Sequence, residues 1–163
     1  MKKILLQISV VLVTILFAGF AVAAGDGDFK AKLTGDESVP AVTTKAKGKA
    51  VFHKVNDGKE ISYKLTVTDL ANVTAAHIHA GKKGEDGPPV AGLFAGPKKS
   101  GQFSGVLAEG TVTDKDLMGS LSGKSVKDLV KMIKAGDAYV NVHTDKYPGG
   151  ELRGQIKKDK KDK

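Results

Sequence analysis

Between residues 59 and 69, Ile61, Tyr63, Leu65 and Val67 alternate with polar neighbours. Side chains two apart share a face of an extended chain, so this segment predicts a half-buried strand. Residues 29–33 alternate in the same way, and residues 47–55 form a further extended run. Asn56-Asp57-Gly58 separates two of these segments and supplies hairpin-turn chemistry, since Gly tolerates positive φ. Strands are also predicted over 73–80, around 91–95, over 102–113, over 138–144 and over 151–157, with a Gly- and Pro-containing loop at 81–89. One segment has a different period. Val126, Leu129, Val130 and Ile133 recur at helical spacing, with Ser125 as N-cap, Asp128 three residues on, and Gly136 as the stop. A shorter helical turn is expected over 114–118, capped by Thr113. The pattern predicts a mainly β fold, an antiparallel β-sandwich or Greek-key barrel of immunoglobulin-like or Cu,Zn superoxide dismutase-like type, with one short helix near 125–135.

The ends of the chain carry separate signals. Lys2 and Lys3 precede a largely apolar run over 4–20, and Ala21-Val22-Ala23 offers a small-x-small cleavage site. Residues 1–24 therefore read as a secretory signal peptide. A folded domain over 25–156 is expected to follow, then a Lys-rich disordered tail over 157–163. The protein is expected to be exported, to the periplasm or beyond the cell, with no stable membrane anchor once the signal is cleaved. The chain contains no cysteine. That excludes thiolate metal sites, a Cys nucleophile and disulfide bracing.

The formal charge of +8 is concentrated at the ends. Elsewhere Asp and Glu dilute the lysines, and there is no tryptophan. This argues against a nucleic-acid-binding face. The tail reads as a solvated end or as a weak tether to anionic polymers.

Two of the four histidines lie one residue apart in "AAHIHAGKKGEDGPP", residues 75–89. On a strand, His77 and His79 share one face while Ala76, Ile78 and Ala80 take the other. By the same alternation Ala138, Val140 and Val142 face the core, and Tyr139, Asn141 and His143 face away. In the last strand Glu151, Arg153 and Gln155 lie opposite Leu152, Gly154 and Ile156. A hairpin joining these strands puts His143 across from Glu151 and Asn141 across from Arg153, if polar residues stay opposite polar ones. His77, His79, His143 and Glu151 then form a candidate metal site, with Asn141, Tyr139 and Arg153 around it. Imidazole nitrogens suit Cu or Zn over Ca, and three histidines leave an open position. In the alternative reading these groups form a metal-free polar network that holds the 81–89 loop and the 144–150 turn. His53 reads as a surface or packing residue. The Gly-rich segment 81–87 lacks the spacing of a phosphate loop or an EF-hand, and no serine sits in a nucleophile elbow.

The segments "AAHIHAGKKGEDGPPVAGL" and "AYVNVHTDKYPGGELRGQI" occur in the order found in chordin-type (CHRD) domains, and the chain from about residue 29 to 156 resembles that family. The resemblance implies an extracytoplasmic β-sandwich module, found as repeats in an animal growth-factor antagonist and as single secreted domains in bacteria. It invites comparison with Cu,Zn superoxide dismutase; the partner expected of an adhesion module is an unidentified extracellular protein or polysaccharide. A dismutase-like copper site would need four histidines, one of them bridging to zinc. This chain has three on the expected face and no cysteine pair. The readings that follow are a binding module with a mononuclear Cu or Zn site, a metal-free adhesion module, and a redox enzyme.

Overall fold

A computed structural model describes residues 28–160; the expected signal peptide lies outside them. Eight strands form one antiparallel sheet. They are β1 (Phe29–Thr34), β2 (Lys47–Val55), β3 (Glu60–Ala80), β4 (Pro89–Phe94), β5 (Lys99–Val112), β6 (Ala138–Thr144), β7 (Leu152–Gln155) and β8 (Lys157–Lys158). The order runs β2–β1–β7–β6–β3–β4, and β2 also pairs with β3, which closes β2–β1–β7–β6–β3 into a barrel. β5 lies along β3 and β8 along β1. Closure gives each of the five barrel strands partners on both sides, while β4, β5 and β8 remain as edges.

The two strands expected over 59–69 and 73–80 are one continuous strand of 21 residues, β3. It changes partners along its length. Residues from Glu60 to Thr68 pair with β2, and residues from Val73 to Ala80 pair with β6. Between them, Asp69 and Asn72 take positive φ of 54° and 52°. Asp and Asn tolerate this region better than most residues, so the polar break read as a strand end is a bulged corner. The bulges let a single strand turn from one side of the barrel to the other.

The helix α1 spans Val126–Ala135, as its periodicity predicts. Ser125 Oγ–H and N–H both donate to Asp128 Oδ2, at 2.8 and 3.1 Å. Gly136 stops the helix at φ 82°. Val126, Leu129 and Ile133 of the helix join the same buried core as Phe52, Leu65, Ile78, Val140 and Leu152. Thr113 and Asp116 cap a 3-10 turn over Asp114–Asp116, where the shorter helical turn was expected.

The disordered tail expected from residue 157 does not begin there. Lys157 and Lys158 form β8 and pair with Lys30 and Phe29 of β1, and the Asp159 N–H donates to the Asp28 carbonyl at 3.0 Å. The ladder supplies these residues with backbone partners, which composition alone does not reveal. Among the described residues, no helix is long and apolar enough to cross a membrane.

Candidate functional site

The second half of β3, β6 and β7 lie side by side, and their registers decide what meets. β3 and β6 pair Ala75 with His143, His77 with Asn141 and His79 with Tyr139. β6 and β7 pair Asn141 with Arg153 and Tyr139 with Gln155. Directly opposed residues share a face. One face of these strands therefore carries Ala76, Ile78, Val140, Val142 and Leu152, all fully buried in the apolar core. The other carries His77, His79, Tyr139, Asn141, His143, Arg153 and Gln155, as the alternation predicts.

His77 and His143 are diagonal neighbours on β3 and β6, and their ring centroids are 5.2 Å apart. His77 and His79 lie 5.8 Å apart, and His79 and His143 5.6 Å. One ring nitrogen from each of the three lies within 4.8 Å of the others. On β4 the partner of His77 is Gly92, so the directly opposed residue adds no side chain beside the ring.

The tautomers follow from the partners. His79 Nδ1 is 2.7 Å from the Gly87 carbonyl, and His143 Nδ1 is 2.9 Å from the Pro148 carbonyl. A carbonyl only accepts, so both Nδ1 atoms carry the proton, and each Nε2 presents a lone pair. Both Nε2 atoms are buried and have no hydrogen-bond partner. Anchoring one ring nitrogen on a backbone carbonyl while the other stays available is the usual way a ligating histidine is oriented. No hydrogen bond among the described residues holds the His77 ring.

Burial disfavours the imidazolium, and the three rings oppose each other's charging. Desolvation, then the charges His143 and His79 would carry, lower the His77 pKa to about 4. Burial lowers His79 and His143 too, against the raising effect of their hydrogen bonds to Gly87 and Pro148. The cluster is thus neutral near pH 7, the protonation state in which imidazole binds metal.

The flanking residues form a stack. The Tyr139 ring lies 5.2 Å from His79 at an interplanar angle of 27°, and the Arg153 guanidinium carbon sits 3.6 Å from the Tyr139 ring centre. The Tyr139 hydroxyl donates to Asp86 Oδ1 at 2.9 Å and accepts the Gly87 N–H at 3.0 Å. Arg153 Nη2 donates to the Lys82 carbonyl at 2.7 Å, and Asn141 Nδ2 donates to Gly149 at 2.9 Å. This face is therefore covered. The 81–89 loop and the 144–150 turn fold over it, leaving Tyr139 at 0%, Arg153 at 2%, Asn141 at 4% and His79 at 7% exposure.

Glu151 does not join the three histidines. The ladder keeps Asn141 opposite Arg153 and Val142 opposite Leu152. The expected next step, His143 with Glu151, is broken by a bulge, because the Glu151 N–H also donates to Val142, at 2.8 Å. The side chain leaves the alternation, and its carboxylate accepts Thr44 Oγ1–H and Thr144 Oγ1–H, each at 2.8 Å. It ties the loop before β2 to the end of β6. His53 lies on β2 opposite Ser62, outside the cluster.

Asp86, Gly87, Pro148 and Thr44 are the partners that residue-by-residue reading did not assign. The available signal was the Gly and Pro content of "GEDGPP" and "YPGG". Gly87 and Gly150 show why it matters. A Cβ at Gly87 would strike the Ala80 carbonyl, and one at Gly150, where φ is 124°, would strike the Asn141 amide. Both loops approach the polar face too closely for a side chain.

Residues 29–156 match the model of the CHRD domain. Chordin from Xenopus laevis is 30% identical over 132 residues, which cover 76% of this chain and 12% of that protein. The chain thus spans only a small fraction of that relative's length. No solved structure matches it. With nearly all of the barrel matched, both loops and all three clustered histidines included, the chain belongs to the CHRD domain family.

Proposed function

We propose that this CHRD domain is an exported binding module with a mononuclear Cu or Zn site formed by His77, His79 and His143. One observation carries the reading: three imidazoles converge with one ring nitrogen of each within 4.8 Å, and the Nε2 atoms of His79 and His143 are buried without a partner. A buried polar atom left unpaired is costly, and a metal is the partner that lone pairs of this kind accept. All-nitrogen ligation favours Cu or Zn over Ca. Nitrogens bound to one ion at about 2.0–2.1 Å lie no more than about 4 Å apart. His77, which no hydrogen bond among the described residues restrains, is the ring freest to adjust to an ion.

The test is titration of untagged protein with Cu²⁺ and Zn²⁺, read by elemental analysis. One ion per chain is expected, lost in the His77→Ala/His79→Ala double variant. Uptake unchanged in that variant, or absent at micromolar metal, overturns the site.

A second reading has its own support. The bonds from His79 to Gly87 and from His143 to Pro148 hold two loops without any metal. In that reading the domain is a metal-free adhesion module for an extracellular protein or polysaccharide. His79→Ala would then lower stability and leave metal uptake, already negligible, unchanged.

A further inference from the structure

The lysines of this chain are not evenly spread. On β1, Phe29, Ala31 and Leu33 are buried in the core, so Lys30 and Lys32 lie on the outer face. β8 places Lys157 directly opposite Lys30. β2 places Lys49 opposite Lys32 and Lys47 opposite Thr34. Two cross-strand pairs, Lys30 with Lys157 and Lys32 with Lys49, thus set like charges side by side, an arrangement that destabilises a sheet. Asp159 forms an ion pair with Lys30. Among the described residues no carboxylate forms an ion pair with Lys32, Lys49, Lys157, Lys158 or Lys160; the nearby Glu37 is taken by Lys83 at 2.9 Å. Lys30, Lys32, Lys157, Lys158 and Lys160, with Glu37 and Gln155 among them, line a cleft of about 480 Å³.

We propose that this lysine-lined cleft beside β1 and β8 is a binding site for an anionic polymer bearing phosphate or sulfate groups. The spacing is set by the sheet: charges about 5 Å apart between strands and about 7 Å apart along one. Such a grid meets successive charges of a flexible chain laid across the strands. It is a cleft, which suits a polymer strand better than a flat bilayer. No aromatic side chain lines it, so it lacks the stacking platform that single-stranded nucleic acid uses. A bound polyanion would offset the repulsion between Lys32 and Lys49, which no ion pair among the described residues offsets; Asp159 already pairs with Lys30. Lys157 and Lys158 act here as parts of a strand with fixed register, not as a loose basic tail. The site is independent of the histidine cluster.

The test measures binding of the full chain to linear polyphosphate and to dextran sulfate at low salt, with uncharged dextran as control. Lys32→Glu/Lys157→Glu/Lys160→Glu reverses three charges that line the cleft; Lys59→Glu/Lys124→Glu/Lys127→Glu makes the same change in net charge at exposed lysines elsewhere. The cleft variant is expected to bind at least about tenfold more weakly, three contacts each being worth a factor of a few. The second variant is expected to keep most of its affinity. The ratio of the two polymers' affinities tells a phosphate source from a sulfate source. Without polymer, the cleft variant should be at least as stable as the parent, because reversal turns like pairs into opposite ones. An equal loss in both variants overturns the proposal, since net charge alone would then explain binding. So does binding to phosphatidylglycerol vesicles with none to either polymer.

Discussion

The two faces of the β3–β6–β7 sheet are both largely covered and built from opposite chemistry. Ile78, Val140, Val142 and Leu152 on one side are fully enclosed in an apolar core. Tyr139, Asn141 and Arg153 on the other are almost as inaccessible, yet Arg153 Nη1 and Asn141 Oδ1 find no hydrogen-bond partner. The apolar face gains from leaving water, whatever its exact neighbours. The polar face loses its hydration and recovers it only where a particular loop atom is in place. Inaccessibility alone therefore does not mark the core. The difference between the faces predicts which substitutions unfold the barrel and which only release its loops.

The largest expected effect separates two adjacent residues. Ile78→Ala should cost about 2–5 kcal/mol, because it opens a cavity in a packed core. His77→Ala, one residue away on the opposite face, should cost no more than about 1 kcal/mol, since its ring is held by no hydrogen bond. Urea denaturation of the two metal-free variants measures both. Equal costs would mean that the histidine face is as much a part of the stabilising core as the apolar one.

Mild acid, above the range of the carboxylates, should strike the polar face first. The imidazole pKa values are lowered in the folded chain, by burial first, with His77 brought from 6.5 to about 4. Between those values the unfolded chain binds more protons than the folded one, so stability rises with pH. The contribution of the neutral cluster is fully present above about pH 6.5 and is lost as the pH falls through 4. Metal-free protein should therefore melt at progressively lower temperature across that window. The His77→Ala/His79→Ala variant should show a flatter profile, and identical profiles would place the acid sensitivity elsewhere.

Much of this division was legible in the alternation of residues. Period-2 reading assigned residues 138–143 of β6 to their correct faces and put Asn141 across from Arg153, because register is strongly specified where one face is apolar. It also located α1 from Ser125 to Gly136. It failed where the backbone departs from the regular repeat. At Glu151 a single bulge removes the carboxylate from the histidine face. At Asp69 and Asn72, positive φ turns an apparent gap into a corner of one strand. The order of residues showed that His77, His79 and His143 could share a face. That their strands are neighbours depends on pairings distant in sequence, which no local pattern carries. Nor does composition show that the loops close over the polar face and bury it.

The smallest expected effect tests how that closure works. Tyr139→Phe keeps the ring between His79 and Arg153 and removes only the hydroxyl. The hydroxyl links the sheet to the 81–89 loop through Asp86 and Gly87. After its loss the Gly87 N–H keeps Asp86 Oδ1, at 3.1 Å, as a partner, so no buried donor is orphaned. The cost should then be about 1 kcal/mol, that of a hydrogen bond whose partners are otherwise satisfied. Amide exchange should quicken over the 81–89 loop and stay unchanged at Val140 and Val142, whose side chains lie on the opposite face. Faster exchange in both places would mean that the loop and the apolar core open together, and that the two faces are one cooperative unit.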